Sequence, residues 1–211
     1  MVARIQSAGI PGVSGNYDST VATHYKHCGC RSESPRQEAL AHISFEWTLS
    51  NTSPEVKRAL KALPFRIDIR PQGGHVAGPT VTLVHAHTSN SRIYVTEDRT
   101  DEFLTKMAEA AHLKAGDVLA FGHTHRPWHR VTSEGGVHMI NTGSVGRPKD
   151  GDWRAGYVLV TVGDGPVQVE FVRVAYDIDR AVAGVRTAGL PEDFVEFLQT
   201  GGKPTASTAA S

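Results

Sequence analysis

Four short stretches carry side chains that could ligate, protonate or hold a phosphate. Gly122-His123-Thr124-His125-Arg126 places two imidazoles one residue apart, directly after the apolar run Val118-Leu119-Ala120-Phe121. Neutral imidazole is the commonest protein metal ligand. In an extended segment residues i and i+2 point to the same side. Both rings would then address one point beyond a strand end, where open α/β sheets hold their ligands. A second apolar run, Val81 to Val84, ends in His85-Ala86-His87, and a third, Ile10 to Val13, leads into Gly15-Asn16-Tyr17-Asp18. The fourth stretch is Asn141-Thr142-Gly143-Ser144, followed by Arg147. Arg126 and Arg147 offer guanidinium forks that match phosphate oxygens. Each feature also has a plain structural reading: solvent-exposed loop histidines, an Asn tolerating a left-handed turn, and solvated arginines.

The elements around these stretches alternate between helix and strand. Val2 to Ala8 reads as a helix closed by Gly9, and Ile10 to Val13 as a strand with Asn16 near its end. Ser34 as N-cap, Pro35 at the first turn and Gln37 at N3 open a helix whose core face is Ala39, Leu40, Ile43 and Trp47. Ser53-Pro54-Glu55 opens another, with Val56, Leu60 and Leu63 on one face. Phe65 to Ile69 and Val81 to Val84 form a hairpin across a turn at Gln72-Gly73-Gly74. Thr100-Asp101-Glu102 starts a helix to about Leu113 that buries Phe103, Leu104, Met107 and Ala111, with its early carboxylates at the positive end of the helix dipole. Asp117 to Phe121 is the strand before the paired histidines. A strand–turn–strand unit follows from His129 to Ile140, with His129 and His138 on its surface. Tyr157 to Val162 and Val167 to Val174 make a hairpin, and helices begin at Asp177 and at Pro191. The expected organisation is one domain over 1–176, C-terminal helices over 177–200 and a disordered polar tail over 201–211.

Lys and Arg total 22 and Asp and Glu total 22. This balance argues against bulk nucleic-acid binding, which calls for a basic stripe. Cys28 and Cys30, one residue apart, are a poor candidate for an ordinary disulfide. With His24 and His27 they make a possible zinc cluster, but the spacing lacks Cys-x-x-Cys, so a surface loop is the favoured reading. There is no signal peptide and no apolar run of transmembrane length, so a cytoplasmic location without membrane association is expected.

Taken together and in this order, Gly15 to Asp18, His85-Ala86, Gly122 to His125 and Asn141 to Ser144 resemble the calcineurin-like metallophosphoesterase family, in its bacterial phosphodiesterase-like branch. The likeness runs from about Gly9 to Val174. It implies an α/β fold of two mixed sheets packed face to face with helices outside, a four-layer sandwich. It implies hydrolysis of a small phosphate ester by metal-activated water, with Asn16, His85, His123 and His125 as metal ligands and Arg126 and Arg147 near the substrate. The family's proton donor is a His after the Asn. Here Tyr17 stands in that place, with an ordinary pKa of about 10, and Asp18 would orient its neighbours.

The family centre is dinuclear. Mn²⁺ is the first expectation from its mixed O and N ligands, with Zn²⁺, Fe or Ni²⁺ as alternatives. The family's Asp-x-His and Gly-Asp motifs, which supply further ligands and the bridging carboxylate, do not precede Asn16. A shortened chain, an unpaired strand edge with possible homo-oligomerisation, and weak or no hydrolysis are therefore expected. The alternative is a non-catalytic protein-interaction scaffold on the same fold.

Overall fold

The structure, a computed structural model, describes residues 1–30, 32, 34–71, 78–163 and 165–203. Its centre is a mixed five-stranded sheet of β1 (Arg66–Ile69), β2 (Val81–Val84), β3 (Val118–Phe121), β4 (Trp128–Val131) and β5 (His138–Asn141), in the order β1-β2-β3-β5-β4. β2, β3 and β5 run parallel, and β1 and β4 flank them antiparallel. A second sheet is the hairpin of β6 (Ala155–Thr161) and β7 (Gln168–Val174).

β3 explains why the layers form where they do. All four of its residues are apolar and buried, as expected of a parallel strand covered on both faces. Alternation sends Leu119 and Phe121 to one face and Val118 and Ala120 to the other. The first pair packs with Val84, Met139 and the α5 helix (Asp101–Ala110) through Leu104, Met107 and Ala108. The second pair packs with Ile140 against the valines of the second sheet, Val158, Val160, Val167 and Val169. The result is helix, sheet, sheet, with the carboxyl ends of β2, β3 and β5 side by side.

The remaining helices are α1 (Val2–Ser7), α2 (Asn16–Ala22), α3 (Pro35–Asn51), α4 (Pro54–Lys61), α6 (Ile178–Thr187) and α7 (Glu192–Gln199). Ser34, Ser53, Thr100 and Asp177 cap their helices by accepting from backbone N–H groups, each such cap being worth about 1 kcal/mol. A satellite cluster of Val21, Cys28 and Phe45 joins α2 to α3.

Several sequence expectations need correction. Ile10 to Val13 is not a strand. Pro11 has no N–H to give a ladder, and the segment is tied down instead by Ser14 N–H donating to the Pro64 carbonyl at 2.8 Å. Asn16 consequently opens α2 rather than ending a strand. On α3, Leu40 and Phe45 are buried while Ile43 and Trp47 are each 40% exposed and Ala39 is exposed; the helix meets the satellite cluster along a different line from its expected stripe. Gly201–Lys203 do not open a loose tail: Gly202 N–H donates to the Phe197 carbonyl and Gly151 N–H to the Gly201 carbonyl. Residues 204–211 and the expected turn at Gln72-Gly73-Gly74 lie outside the described residues. No helix among the described residues is long and apolar enough to cross a membrane.

Candidate functional site

Three parallel strands deliver their following residues to one edge. His85 comes directly after β2, Gly122 directly after β3, and Asn141 is the last residue of β5, opposite Phe121 in register. Backbone bonds lock the three exits together: Gly122 N–H donates to the His85 carbonyl at 2.9 Å and Thr142 N–H to the Phe121 carbonyl at 2.7 Å. Asn141, fully buried, acts as the clamp. Its Nδ2 donates to the Gly122 carbonyl and to Thr124 Oγ1, both at 2.9 Å, and its Oδ1 accepts from Gly143 N–H at 3.0 Å.

The His123–His125 segment is not extended, contrary to the sequence argument. Both histidines have positive φ, 65° and 61°, and Thr124 N–H curls back to the Gly122 carbonyl at 2.7 Å. Non-glycine residues adopt this region rarely, and it persists where surroundings over-determine it, commonly at functional sites. Here the Asn141 clamp supplies that constraint.

The curl brings His123 Nδ1 to 3.0 Å from His85 Nε2, which also lies 2.9 Å from Asn16 Oδ1. Three potential donor atoms from α2, β2 and β3 thus converge. Gly15 permits this approach, because a Cβ there would sit 3.0 Å from His85 Nδ1. The orientation of the Asn16 carboxamide is fixed by chemistry: its Nδ2 donates to the Cys28 carbonyl at 2.9 Å, so its oxygen faces His85. His125 stands beside the group. Its Nδ1 donates to the Arg147 carbonyl at 2.7 Å, which leaves Nε2 of the neutral ring with a free lone pair, the arrangement usual in metal-bound histidine.

The electrostatics keep these rings neutral. Burial, then the neighbouring His85 and His125, push His123 down to about 4. Burial and Lys149 push His125 down to about 4. Burial lowers His85 too, against the opposing pull of Asp18. Neutral imidazole is the form that binds metal.

The other sequence candidates divide. Asp18 Oδ2 accepts from Gly15 N–H at 2.8 Å and so holds the turn into α2. Tyr17 directs its hydroxyl to Ser44 Oγ on α3 at 3.4 Å, edge-on to Phe45. Arg147 is half-buried, with its guanidinium 4.9 Å from the Phe197 ring centre and 5.9 Å from that of Phe194. Burial lowers its pKa while Tyr17 and Tyr94 oppose the shift, which places both phenols in its field. Arg126 is exposed and spends its Nε on the Lys149 carbonyl. His87 bonds locally to Ser89 Oγ, and the Ala86 methyl is buried in the core, 1% exposed, rather than turned toward the site.

Cys28 and Cys30 are joined in a disulfide, contrary to expectation. Gly29, at φ 70°, folds the turn so that the two Cα atoms stand 5.3 Å apart, within the ordinary disulfide range. Among the described residues no three His, Cys, Asp or Glu side chains form a metal-holding group, so neither the cluster of His24, His27, Cys28 and Cys30 nor the expected trio of His85, His123 and His125 is one.

Sequence reading assigned no role to Asn141, Thr124, Tyr94 or the Cys28 carbonyl. Tyr94, in the loop after β2, lies against the His123 ring with centroids 4.2 Å apart. No periodicity marks it. Asn141 lay inside a quoted motif, and its signal was a polar residue at the end of an otherwise apolar strand.

The convergent atoms fit one small divalent ion. Such ions bind N and O at about 2.0–2.2 Å, and neighbouring ligands on them stand about 3 Å apart. The Asn16, His85 and His123 spacings of 2.9 and 3.0 Å match. No carboxylate among the described residues completes a cage around them.

 The chain is 30% identical over 176 residues to an uncharacterized protein of Methanocaldococcus jannaschii, a match covering 75% of this chain and 65% of the relative. The chain thus spans a little under two thirds of that relative's length. A crystal structure of a metallophosphoesterase from Sphaerobacter thermophilus superposes with a TM-score of 0.64 at 26% identity, over 90% of this chain and 76% of the other. A hypothetical protein from Pyrococcus horikoshii shares the fold, with a TM-score of 0.72 at 16% identity over 97% of this chain and 78% of the other. The family model for the calcineurin-like phosphoesterase superfamily domain matches residues 1–165, and by that match the chain belongs to this superfamily.

Proposed function

We propose that this chain carries part or all of a metal-dependent phosphoesterase site, and that Asn16, His85 and His123 hold one divalent ion with His125 beside them. The observation that carries this reading is the meeting of Asn16 Oδ1, His85 Nε2 and His123 Nδ1 at 2.9 and 3.0 Å, from three separate elements. Mn²⁺ is the first choice of ion for a mixed O and N set, with Zn²⁺, Fe and Ni²⁺ as alternatives. The bound ion would supply Lewis acidity toward a phosphoryl oxygen and acidify a water.

The chain's own residues do the rest. The rings of His85 and His123 are held neutral, so a change of tautomer, without loss of a cationic proton, is enough to turn a lone pair toward an ion. His125, its Nδ1–H held by the Arg147 carbonyl, keeps Nε2 unprotonated and directed away from that bond. Arg147 supplies a guanidinium for phosphate oxygens, and its partial burial reduces the screening of that attraction by water. Tyr17 and Tyr94 are the phenols in the field of that guanidinium, and Tyr17 would have to turn its hydroxyl from Ser44 Oγ to donate a hydrogen bond to a leaving oxygen. A phenol transfers a proton poorly near neutrality, so turnover is slow and favours esters with good leaving groups. The substrate is a small phosphomonoester or phosphodiester.

The test is hydrolysis of nitrophenyl phosphate and bis(nitrophenyl) phosphate by the purified chain with Mn²⁺, Zn²⁺ or chelator, beside His123→Ala. Turnover that requires metal and vanishes in His123→Ala supports the reading. A rate indifferent to chelator and to His123→Ala sinks it. Metal uptake without any hydrolysis favours the scaffold alternative.

A further inference from the structure

The Asn16 carboxamide is the ligand least constrained by the sheet. It sits at the start of α2, and what orients it is the Cys28–Gly29–Cys30 turn. Nδ2 donates to the Cys28 carbonyl at 2.9 Å and lies 3.5 Å from Cys30 Sγ. Those two contacts decide which end of the amide faces His85: with Nδ2 committed to a carbonyl that can only accept, Oδ1 is left for His85 Nε2 at 2.9 Å. Rotating the amide by half a turn would present a donor where a ligand is needed.

The turn itself is held by the Cys28–Cys30 disulfide and by Gly29 in the left-handed region, where a Cβ would stand 2.7 Å from Arg92 Nε. Cys28 is buried in the satellite cluster with Phe45 and Val21, whereas Cys30 is only partly buried. Both cysteines border an open cleft of about 520 Å³, which His27, Glu38 and His42 also line. A small thiol can therefore reach the sulfurs from outside without passing through the metal-ligand cluster.

We propose that the Cys28–Cys30 pair is a redox-controlled positioning device for Asn16: the disulfide form holds the carboxamide in its ligating orientation, and reduction by a cellular thiol releases it. The inference rests on the metal-site reading above and adds its regulation. The step balances as ordinary exchange. A thiolate attacks the more accessible Cys30 sulfur and breaks the S–S bond, giving a mixed disulfide and the Cys28 thiolate. A second thiol attacks the mixed disulfide, frees Cys30 and leaves as the oxidised thiol dimer. Two electrons pass from the thiols to the protein, and the cysteines take up two protons. With the bond gone, only the backbone through Gly29 limits the separation of residues 28 and 30, and both partners of Nδ2 can move.

The experiment measures Mn²⁺ affinity of the purified chain by titration calorimetry, oxidised and after reduction by a dithiol, with thiols counted by alkylation and mass spectrometry. Mn²⁺ is used because thiolates compete for it poorly. The expected result is about tenfold weaker binding in the reduced form, at the lower end of what loss of an orienting partner costs a metal site, restored on reoxidation. The Cys28→Ser, Cys30→Ser double variant should match the reduced chain and ignore oxidant. Equal affinity in both redox states overturns the inference and leaves the metal site standing. Two free thiols after oxidation overturn it as well. A chain that takes up no Mn²⁺ in either state overturns the metal-site reading and this inference with it.

Discussion

The two sides of the candidate site are built differently. On the sheet side, His85, His123 and His125 follow the ends of neighbouring parallel strands, and Asn141 ties their loops together with three hydrogen bonds. On the helix side, Asn16 stands on α2, outside the sheet, and reaches His85 through one contact of 2.9 Å. Its orientation depends on a turn closed by Gly29 and a disulfide. The sheet side belongs to the core and should be as stable as the core. The helix side belongs to a satellite cluster and should respond to local change. A site made of one rigid and one adjustable half can keep its ligands while its affinity is tuned.

The largest expected effect isolates the sheet side by pH. In the metal-free protein His123 and His125 titrate at about 4, against about 6.5 when unfolded. Between these values the unfolded chain binds more protons, so the stability is fully present above about pH 6.5 and is lost as pH falls toward about 4. At the limit this amounts to ~3 kcal/mol per ring. Thermal unfolding with chelator, from pH 7.5 to 4, should show a steep fall in Tm that His123→Gln reduces. A flat Tm across pH 6.5 to 5 would remove the claim that these rings are buried and neutral.

Ligand removal should rank the two sides. His123→Ala and His85→Ala are each expected to weaken Mn²⁺ binding by about 100-fold or more, and Asn16→Ala by about tenfold, as read by calorimetry. Equal losses would break the proposed asymmetry. Asn141→Ala should weaken metal binding comparably to Asn16→Ala, and also destabilise the fold by about 2–3 kcal/mol, since it removes three buried hydrogen bonds, to the Gly122 carbonyl, Thr124 Oγ1 and the Gly143 N–H; urea unfolding measures this. An unchanged unfolding midpoint would show that Asn141 is not the clamp.

The smallest effect concerns Arg147. Phe197→Leu removes the closer of its two aromatic neighbours. A partly buried cation–π contact is worth about 1 kcal/mol, so inhibition by inorganic phosphate should weaken about threefold to fivefold with Mn²⁺ affinity unchanged. A change in metal affinity instead would mean that α7 acts through His125 rather than through the guanidinium.

Much of the layout was legible in the chain itself. Runs such as Val118 to Phe121 are apolar at every position, which only a strand covered on both faces tolerates, and the caps at Ser34, Ser53 and Thr100 fixed helix starts. Motif order pointed to Asn16, His85, His123 and His125 because local sequence determines which residue types stand at strand exits. Other features depended on contacts between distant segments. Ile10 to Val13 has the composition of a strand but no strand partner among the described residues, so Asn16 came to lie on a helix. The paired histidines converge with positive φ because Asn141, far along the chain, holds their loop. The Cys28–Cys30 bond and the direction of the Asn16 amide follow from one left-handed glycine and one carbonyl, neither of which has a periodic signature. Sequence alone determined the buried strands, the caps and the identity of the side chains that converge, because these follow from hydrophobic pattern and short-range hydrogen bonding. Tertiary structure alone decided which nitrogen and oxygen atoms face one another, because that depends on hydrogen bonds between segments that meet only after the sheet has formed.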